Sequence, residues 1–224
     1  MILRLSSGWL QLKFDLLLKI AMKIIPEVLI ATGNKGKVRE FERLTADLKL
    51  KIRSLSEFPN VIEVAETGQT FAENARLKAQ GYGEQTGLLT LADDSGLEVA
   101  ALDNAPGIFS ARFGGDGLSD RQRVGKLLSD LDHTLDQERR ARFICVIALA
   151  GQNGEIVSQA TGVCEGRISA KPLGINGFGY DSVFIPDGFE KTFGELPASV
   201  KQQFSHRAQA TLQIMRFLQD FLRI

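Results

Sequence analysis

The stretch from Leu88 to Gly96 constrains the fold most, because an apolar run ends there in two adjacent acids and a glycine. Leu88 to Ala92 predicts a short buried strand, and Gly96 permits a sharp backbone turn directly after it. Carboxylates that follow a strand in this way lie where open α/β sheets bind their ligands. The sequence therefore predicts an α/β fold with Asp93 and Asp94 at the carboxyl end of a central strand.

The acid pair Asp93 and Asp94 admits several roles. An aspartate that caps a turn is an ordinary structural feature. Two adjacent carboxylates can also hold a divalent cation or share a proton, and either arrangement suits hydrolysis. Turn capping, metal binding and proton sharing all stay open at this point, although capping as the sole role of both acids is the least favoured interpretation.

Hydrophobic periodicity around this strand predicts a mixed sheet with flanking helices. The predicted strands are 27–32, 50–55, 88–92, 97–102, 142–150, 155–168 and 182–185, and the predicted helices begin near residues 38, 70, 119 and 207. Strands 142–150 and 155–168 form a hairpin that Asn153-Gly154 closes as a two-residue turn. The apolar stripe of the last helix, predicted to pack in the core, contains Leu212, Met215, Leu218 and Leu222.

The balance of charged residues and the two cysteines limit the classes of function that the chain can have. The 27 Lys and Arg residues balance the 27 Asp and Glu residues, so no broad nucleic-acid footprint is expected. In the predicted hairpin register Cys145 lies opposite Gly162, which leaves Cys164 on a diagonal about 7–8 Å away, too far for a disulfide. Two buried, reduced thiols are consistent with a cytoplasmic protein.

Residues 1–21 are unusually apolar, but they do not predict a membrane anchor. Charges interrupt the run at Arg4, Lys13, Asp15 and Lys19. It therefore falls short of the about 20 uninterrupted apolar residues of a membrane span, and no small-residue cleavage site follows it. An amphipathic surface helix stays possible, but Met22 directly precedes the first strand, so we expect translation to start there and residues 22–224 to form a single domain.

A glycine loop follows the first predicted strand and leads into a helix. Gly33 and Gly36 let backbone N–H groups approach an anion, and the helix start adds its positive end. It is not a Walker loop, because its spacing is too short and Val38 stands where a metal-binding Ser or Thr would be. An ordinary strand-to-helix turn with exposed lysines is about as good an interpretation. In a mostly parallel sheet the loop would share an edge with Asp93 and Asp94.

Two later segments supply further candidates. Thr70 and Glu73 fit a capping box, which explains Glu73 structurally, whereas Glu66 has no such local role. Lys201 and the run Ser205-His206-Arg207 directly precede the last helix. A single His is more often structural, but the adjacent Arg and the helix start favour contacts with an anion or a base.

Together these segments resemble, in order and spacing over about residues 27–223, the motif series of the Ham1-type inosine triphosphate pyrophosphatases. The matching motifs are Thr32-Gly33-Asn34-Lys35-Gly36-Lys37, Glu66-Thr67-Gly68, Thr70-Phe71, Glu73-Asn74-Ala75, Ala92-Asp93-Asp94-Ser95-Gly96, Pro106-Gly107-Ile108-Phe109-Ser110-Ala111-Arg112-Phe113, Gly177-Phe178-Gly179-Tyr180-Asp181 and Ser205-His206-Arg207. Residues 1–21 have no counterpart in that series, which agrees with a start at Met22.

The resemblance implies an α/β fold in which helices flank a mixed central sheet, with two lobes and a cleft between them. It also implies a Mg²⁺-dependent homodimer that cleaves the deaminated purine nucleoside triphosphates ITP, dITP and XTP to the monophosphate and pyrophosphate. One rival is a Maf-type pyrophosphatase for modified pyrimidine or methylated nucleotides, which a substrate panel distinguishes. The other rival is a nucleotide-binding regulator without hydrolysis, against which the intact Asp94 and Glu66 argue.

The resemblance assigns roles motif by motif. Asp94 would be the catalytic residue and a metal ligand, and Asp93 would shape the turn or support it. Glu66 would be the second metal ligand, although many relatives carry two acids there and this chain has Ala65 before Glu66. Substrate would be bound by Thr32, Gly33, Asn34, Lys35, Gly36, Lys37, Ser95, Phe178, Gly179, Tyr180, Asp181, Lys201, His206 and Arg207.

Residue chemistry agrees with such a site. A carboxylate of the acid pair would deprotonate the attacking water, while the metal neutralises phosphate charge. Stabilisation of a departing pyrophosphate requires cations that are not already paired. The cations without an obvious partner nearby in sequence are Lys35, Lys37, Lys201 and Arg207. Phe178 would stack on the purine, and His206 or Arg207 would donate to a six-position oxygen that adenine lacks.

Overall fold

The computed structural model describes residues 26–46 and 49–222. The predictions for residues 1–21 and for a start at Met22 lie outside those residues. No helix in the described part of the chain is both long and apolar enough to cross a bilayer.

Six strands form one mixed sheet in the order β2-β1-β3-β4-β5-β6. The strands are β1 Glu27–Ile30, β2 Lys51–Ser54, β3 Leu89–Val99, β4 Arg140–Ala150, β5 Ile156–Ile168 and β6 Phe184–Pro186. The helices are α1 Lys35–Leu44, α2 Phe71–Thr86, α3 Asp120–Asp130, α4 Ala198–Phe204 and α5 His206–Leu222. β1 pairs in parallel with β2 and β3, and the other pairs are antiparallel. The predicted α/β class, with helices flanking a mixed sheet, is confirmed.

The central strand β3 is longer than the sequence predicts. It runs from Leu89 to Val99, so Asp93 and Asp94 lie within a strand, and the separate strand predicted for 97–102 is wrong. Antiparallel pairing with β4 along residues 90–99 satisfies the backbone there and overrides the local turn propensity. Gly96 serves close packing and not a turn, because a Cβ atom there would overlap a carbonyl oxygen and a hydroxyl of segment 107–112.

One edge of β3 is only partly covered. β1 pairs with Leu89 to Leu91 and then ends, and beyond that point the described residues add only an isolated bridge at Glu98 on this side. The backbone of residues 92–97 therefore borders a gap between β1 and the second half of the sheet. This gap is the start of the cleft.

Three hydrophobic cores divide the molecule into two lobes. In the first lobe, α1 and α5 pack on one face of the sheet around Phe41 and Ile147, and α2 packs on the other face around Ala148. In the second lobe, the far halves of β3 to β5 pack with α3 and β6 around Leu127 and Phe184. The long strands β3, β4 and β5 run through both lobes. That residues 22–224 form a single domain stays a prediction.

The β4–β5 hairpin has the predicted register but a different turn. Cys145 lies opposite Gly162, and both cysteines are buried and unpaired as expected. The Gly151 N–H donates to the Glu155 carbonyl at 2.8 Å, which leaves residues 152–154 as a turn of three residues. A register shift beside Ala150 absorbs the extra residue, so the rest of the ladder is unaffected.

The core stripe of α5 differs from the prediction at one position. Leu212 is 53% exposed, whereas Met215 and Leu218 are buried as predicted. Ala210 and Ile214 complete the buried face, because residues spaced by four lie on one side of a helix and residue 212 points away from them. The prediction for the Leu222 side chain lies outside what the structure describes.

Candidate active site

A cavity of about 310 Å³ extends along the uncovered edge of β3 and receives side chains from both lobes. The predicted site residues that line it are Thr32, Gly33, Asn34, Lys37, Glu66, Asp94, Ser95, Phe178, Gly179, Tyr180, Asp181, Lys201, His206 and Arg207. Lys35 is exposed and does not line it, and Gly36 packs against the Phe178 ring instead. The fold thus gathers almost all the predicted residues at one cleft.

Asp93 and Asp94 point to opposite faces of the sheet, because successive side chains alternate along a strand. Asp94 faces α2, where the Asn74 side-chain amide donates to its Oδ2 at 3.3 Å. Asp93 faces α1 and α5, where it meets Lys37 and Arg207. The two acids therefore have different chemical surroundings although they are neighbours in sequence.

Asp93 is the buried centre of an ion cluster. Its Oδ2 lies 2.9 Å from Lys37 Nζ and 3.1 Å from Arg207 Nη2, and it accepts the Ser95 hydroxyl at 3.2 Å. Burial alone would raise the pKa of Asp93, but the Lys37 and Arg207 charges outweigh burial and hold this pKa well below its usual range. Asp93 is therefore a permanent anion that ties the starts of α1 and α5 to β3.

Asp94 and Glu66 converge on one ammonium group. Lys78 Nζ lies 3.1 Å from Asp94 Oδ1 and 2.9 Å from Glu66 Oε1. Burial raises the pKa of the Asp94 carboxyl above its ordinary value, and the positive charges of Lys78 and Lys37 oppose that effect. A carboxylate with a raised pKa is a better proton acceptor, so Asp94 is the stronger base of the acid pair.

The same two carboxylates fit a magnesium ion. In residues 26–46 and 49–222 no three His, Cys, Asp or Glu residues gather closely enough to hold a metal by themselves. Magnesium needs fewer protein ligands, because it is usually bound through one or two carboxylates together with substrate phosphates and water. Glu66 and Asp94 already share one cationic group, the Lys78 ammonium, so their spacing suits a cation.

Phe178 lines the cleft with charged groups beside its ring. Asp181 is buried, and its Oδ2 accepts from Lys201 Nζ at 2.6 Å and from the Phe178 N–H at 2.9 Å. Lys201 Nζ also lies 4.8 Å from the centroid of the Phe178 ring. Burial raises the pKa of Asp181, and Lys201 opposes this effect. An aromatic ring beside fixed charges is suited to a flat, polar ligand such as a nucleobase.

Three of the four cations that lack a partner nearby in sequence have distant partners in the fold. Lys37 pairs with Asp93, as described above. Glu40 lies 2.8 Å from Lys201 Nζ and 2.5 Å from Arg207 Nη1, and these two cations pair also with Asp181 and Asp93 respectively. A phosphate entering the cleft therefore meets partly neutralised cations.

His206 is buried at the start of α5. Its ring stacks on Phe143, with centroids 4.7 Å apart, and α5 begins so close to β5 that a Cβ atom at Gly162 would overlap the His206 carbonyl. Burial and the charges of Arg207 and Lys201 hold the pKa of His206 well below its ordinary value. The ring is therefore neutral, with one nitrogen that donates and one that accepts.

The glycine loop is less open as an anion site than its sequence suggests. Asn34 caps α1, and its Oδ1 accepts from the N–H groups of Gly36 at 2.8 Å and Lys37 at 3.2 Å. These two amides are therefore already used. The loop residues that line the cleft are Thr32, Gly33, Asn34 and Lys37.

Lys78 and Glu40 are the functional candidates that sequence reasoning missed. Lys78 had a detectable signal, because it falls four residues after Asn74 on the face of α2 that Ala75 and Ala79 bury, where a lysine is unusual. Glu40 had none, because its partners are far away in sequence. Arg207, for example, is separated from it by 167 positions.

This chain has relatives among known proteins. The Ham1 family model matches residues 28–217. The dITP/XTP pyrophosphatase of Oceanobacillus iheyensis is 42% identical over 193 residues, covering 86% of this chain and 98% of that protein. That of Desulforamulus reducens is 46% identical over 192 residues, covering 86% and 95%.

Solved structures give the same result at the level of the fold. The structure of a HAM1 protein from Coxiella burnetii has a TM-score of 0.79 and 42% identity, covering 87% of this chain and 99% of that one. The Ham1 protein of Staphylococcus aureus has a TM-score of 0.77 and 39% identity, covering 87% and 99%. The sequence, the fold and the cleft thus lead to one conclusion, that this chain belongs to the Ham1 family.

Proposed function

We propose that this protein hydrolyses the deaminated purine nucleoside triphosphates ITP, dITP and XTP to the monophosphate and pyrophosphate. One observation carries the proposal: the same cleft is lined by a basic carboxylate, Asp94, beside Lys78 and Glu66, and by an aromatic ring, Phe178, with charged partners. Such a cleft can hold a triphosphate and a base at once. The two relatives named as dITP/XTP pyrophosphatases support this substrate class.

Cleavage to these products breaks the bond between the α- and β-phosphoryl groups. Asp94 would accept a proton from water as that water attacks phosphorus, and Lys78 would steady the Asp94 carboxylate. Glu66 and Asp94 would hold Mg²⁺, which supplies positive charge against the phosphates when bound. Lys37, which lies on the face of the sheet opposite Asp94, would stabilise the negative charge of the leaving pyrophosphate.

The base would bind beside Phe178. Phe178 would stack on the purine, and the buried Arg207 and His206 would direct donors at a six-position oxygen. Adenine carries an amino group at that position, so these donors would face another donor and remain unpaired. Buried donors without partners disfavour the wrong ligand strongly.

A substrate panel tests the proposal. With Mg²⁺ present, ITP and XTP should yield monophosphate and pyrophosphate much faster than ATP, because ATP lacks the six-position oxygen. Ion-exchange chromatography of the products measures this, and GTP is included in the panel as a further nucleotide. Release of orthophosphate and a diphosphate would contradict the proposed reaction, and binding without turnover would support a regulator.

The metal assignment predicts a separate effect of Glu66→Gln. This change removes one of two carboxylates, so the Mg²⁺ concentration for half-maximal activity should rise about tenfold or more, a size seen even for residues that only support metal ligands. Titration of activity with Mg²⁺ measures it, and Glu63→Gln, which also lines the cleft, is the matched control. An unchanged Mg²⁺ requirement in Glu66→Gln would remove Glu66 from the metal site.

We also propose a homodimer that works in the cytoplasm. The family resemblance implies the dimer, and the two buried cysteines without a disulfide fit a reducing compartment. Sedimentation equilibrium over a range of concentrations tests the oligomeric state directly.

A further inference from the structure

Phe178 lines two cavities. One is the cleft, the other is a smaller cavity of about 220 Å³, and Lys201 lines both of them as well. Gly36, which lines the smaller cavity, packs against the ring so closely that a Cβ atom there would be 2.7 Å from Phe178 Cδ1. Lys201 and Arg207 also approach the ring, while the two cavities leave part of it open, so its direction depends as well on how the backbone of residues 177–181 is held.

Side-chain hydrogen bonds hold residues 177–181, in addition to backbone ones such as that from the Gly194 N–H to the Asp181 carbonyl at 2.8 Å. The Asp181 carboxylate accepts from the Phe178 N–H at 2.9 Å, and the Tyr180 hydroxyl donates to the Ser110 carbonyl at 2.9 Å. A further contact reaches the loop from the start of α3: Asp120 Oδ2 accepts from the Gly179 N–H at 2.7 Å. Gly179 has a φ of +59°, so its amide belongs to a left-handed turn that this contact stabilises.

Asp120 is arranged for this contact. It is the first residue of α3, but Ser119 already caps that helix through a capping box with Gln122, so the Asp120 carboxylate is not needed as the cap. Arg123 holds the other oxygen, with Nη2 2.7 Å from Asp120 Oδ1, and also donates to the Leu118 carbonyl. One carboxylate oxygen is therefore fixed by the helix, and the other is directed at the loop.

We propose that Asp120 is a positioning residue that sets the direction of the Phe178 ring for the purine. The inference rests on the proposed function, because it takes a purine nucleoside triphosphate as the ligand. Asp120 also lines the cleft, but its contacts are with Gly179 and Arg123, and it makes no hydrogen bond or ion pair with Asp94. Its loss should therefore weaken recognition of the base and leave phosphate binding and the chemical step unchanged.

The test separates base binding from phosphate binding. Asp120→Ala should raise KM for ITP about tenfold, the expected size for loss of one charge-assisted hydrogen bond, with kcat within about twofold of the unmodified protein. The inhibition constant of inorganic tripolyphosphate should not change, because that ion has no base. Asp120→Asn keeps an acceptor oxygen, so its KM for ITP should return most of the way to that of the unmodified protein.

Two further variants keep the result interpretable. Asp120→Ser retains a polar residue at the start of the helix but is too short to reach Gly179, so it should raise KM as the alanine does, even if Asp120→Ala does not fold. Asp130→Ala removes an exposed ion pair with Lys126 from the same helix and should leave KM unchanged.

Each outcome decides between explanations. If the unmodified protein does not hydrolyse ITP, the proposed function fails and this inference fails with it. If it does, and Asp120→Ala and Asp120→Ser keep the normal KM, only the role of Asp120 is overturned. A parallel rise in the tripolyphosphate inhibition constant, or no recovery in Asp120→Asn, would also overturn it, because a general loss of structure would then explain the effect.

Discussion

Asp94→Asn should lower kcat for ITP hydrolysis by about 10²-fold or more while the protein stays folded. The amide has nearly the shape of the carboxylate, and its oxygen can still accept from Lys78. It cannot take a proton from water, however, because it lacks the negative charge and the raised pKa that make the Asp94 carboxylate a base. The loss should therefore appear in turnover and not in thermal stability.

Glu98→Gln is the matched control for this experiment. Glu98 lies on the same strand, but its carboxylate pairs with Arg142 at 2.8 Å and does not line the cleft. Pyrophosphate release under saturating ITP and Mg²⁺ measures kcat for both variants, and circular dichroism during heating measures their stability. Near-normal turnover in Asp94→Asn would remove this residue from the mechanism.

Arg207→Met should destabilise the protein by about 3–5 kcal/mol, the cost of breaking a buried ion pair from one side. Arg207 is 2% exposed, and its guanidinium lies between Asp93 and Glu40. Methionine fills part of the volume but leaves two carboxylates with less compensating charge. Urea denaturation measures the free energy of unfolding, and Arg216→Met, an exposed site on the same helix, should change it by no more than about 0.5 kcal/mol.

A double variant and a pH series sharpen this prediction. Asp93→Asn removes one of the two carboxylates that Arg207→Met leaves without the guanidinium. The double variant should therefore lose less free energy of unfolding than the sum of the losses in the two single variants. The depressed pKa of Asp93 stabilises the unmodified protein above the unfolded-state pKa of about 3.9, and this contribution is lost as the pH falls. Without Arg207 that pKa rises, so the stability gap between the two proteins should narrow below about pH 4. A gap independent of pH, with additive losses, would contradict the ion cluster.

Local patterns predicted the elements well where one segment determines its own structure. The capping box of Thr70 and Glu73 forms as predicted, with Thr70 Oγ1 accepting from the Glu73 N–H at 3.1 Å. The buried face of α2, with Ala75 and Ala79, also follows directly from helical spacing. In such cases the interacting groups lie within one turn of each other, so the sequence contains the whole interaction.

The prediction failed where distant segments decide the outcome. β3 continues past Asp94 because β4, far along the chain, pairs with it, and no local signal in residues 93–97 reports that pairing. The partners of Lys37 and Arg207 are hidden for the same reason. The Gly36 amide is a different case, since Asn34 is a common helix cap and its hydrogen bond to this amide could have been predicted from the sequence.

The alternation of Asp93 and Asp94 along β3 makes the site sensitive to sequence length as well as to sequence identity. A single-residue deletion or insertion in the first half of this strand would exchange the two faces for every residue that follows. Asp94 would then point towards Lys37 and Arg207. Asp93 would point towards Lys78. Substitutions in β3 can therefore be graded in their effects, whereas a shift of register would remove the base and the buried counter-ion in one step.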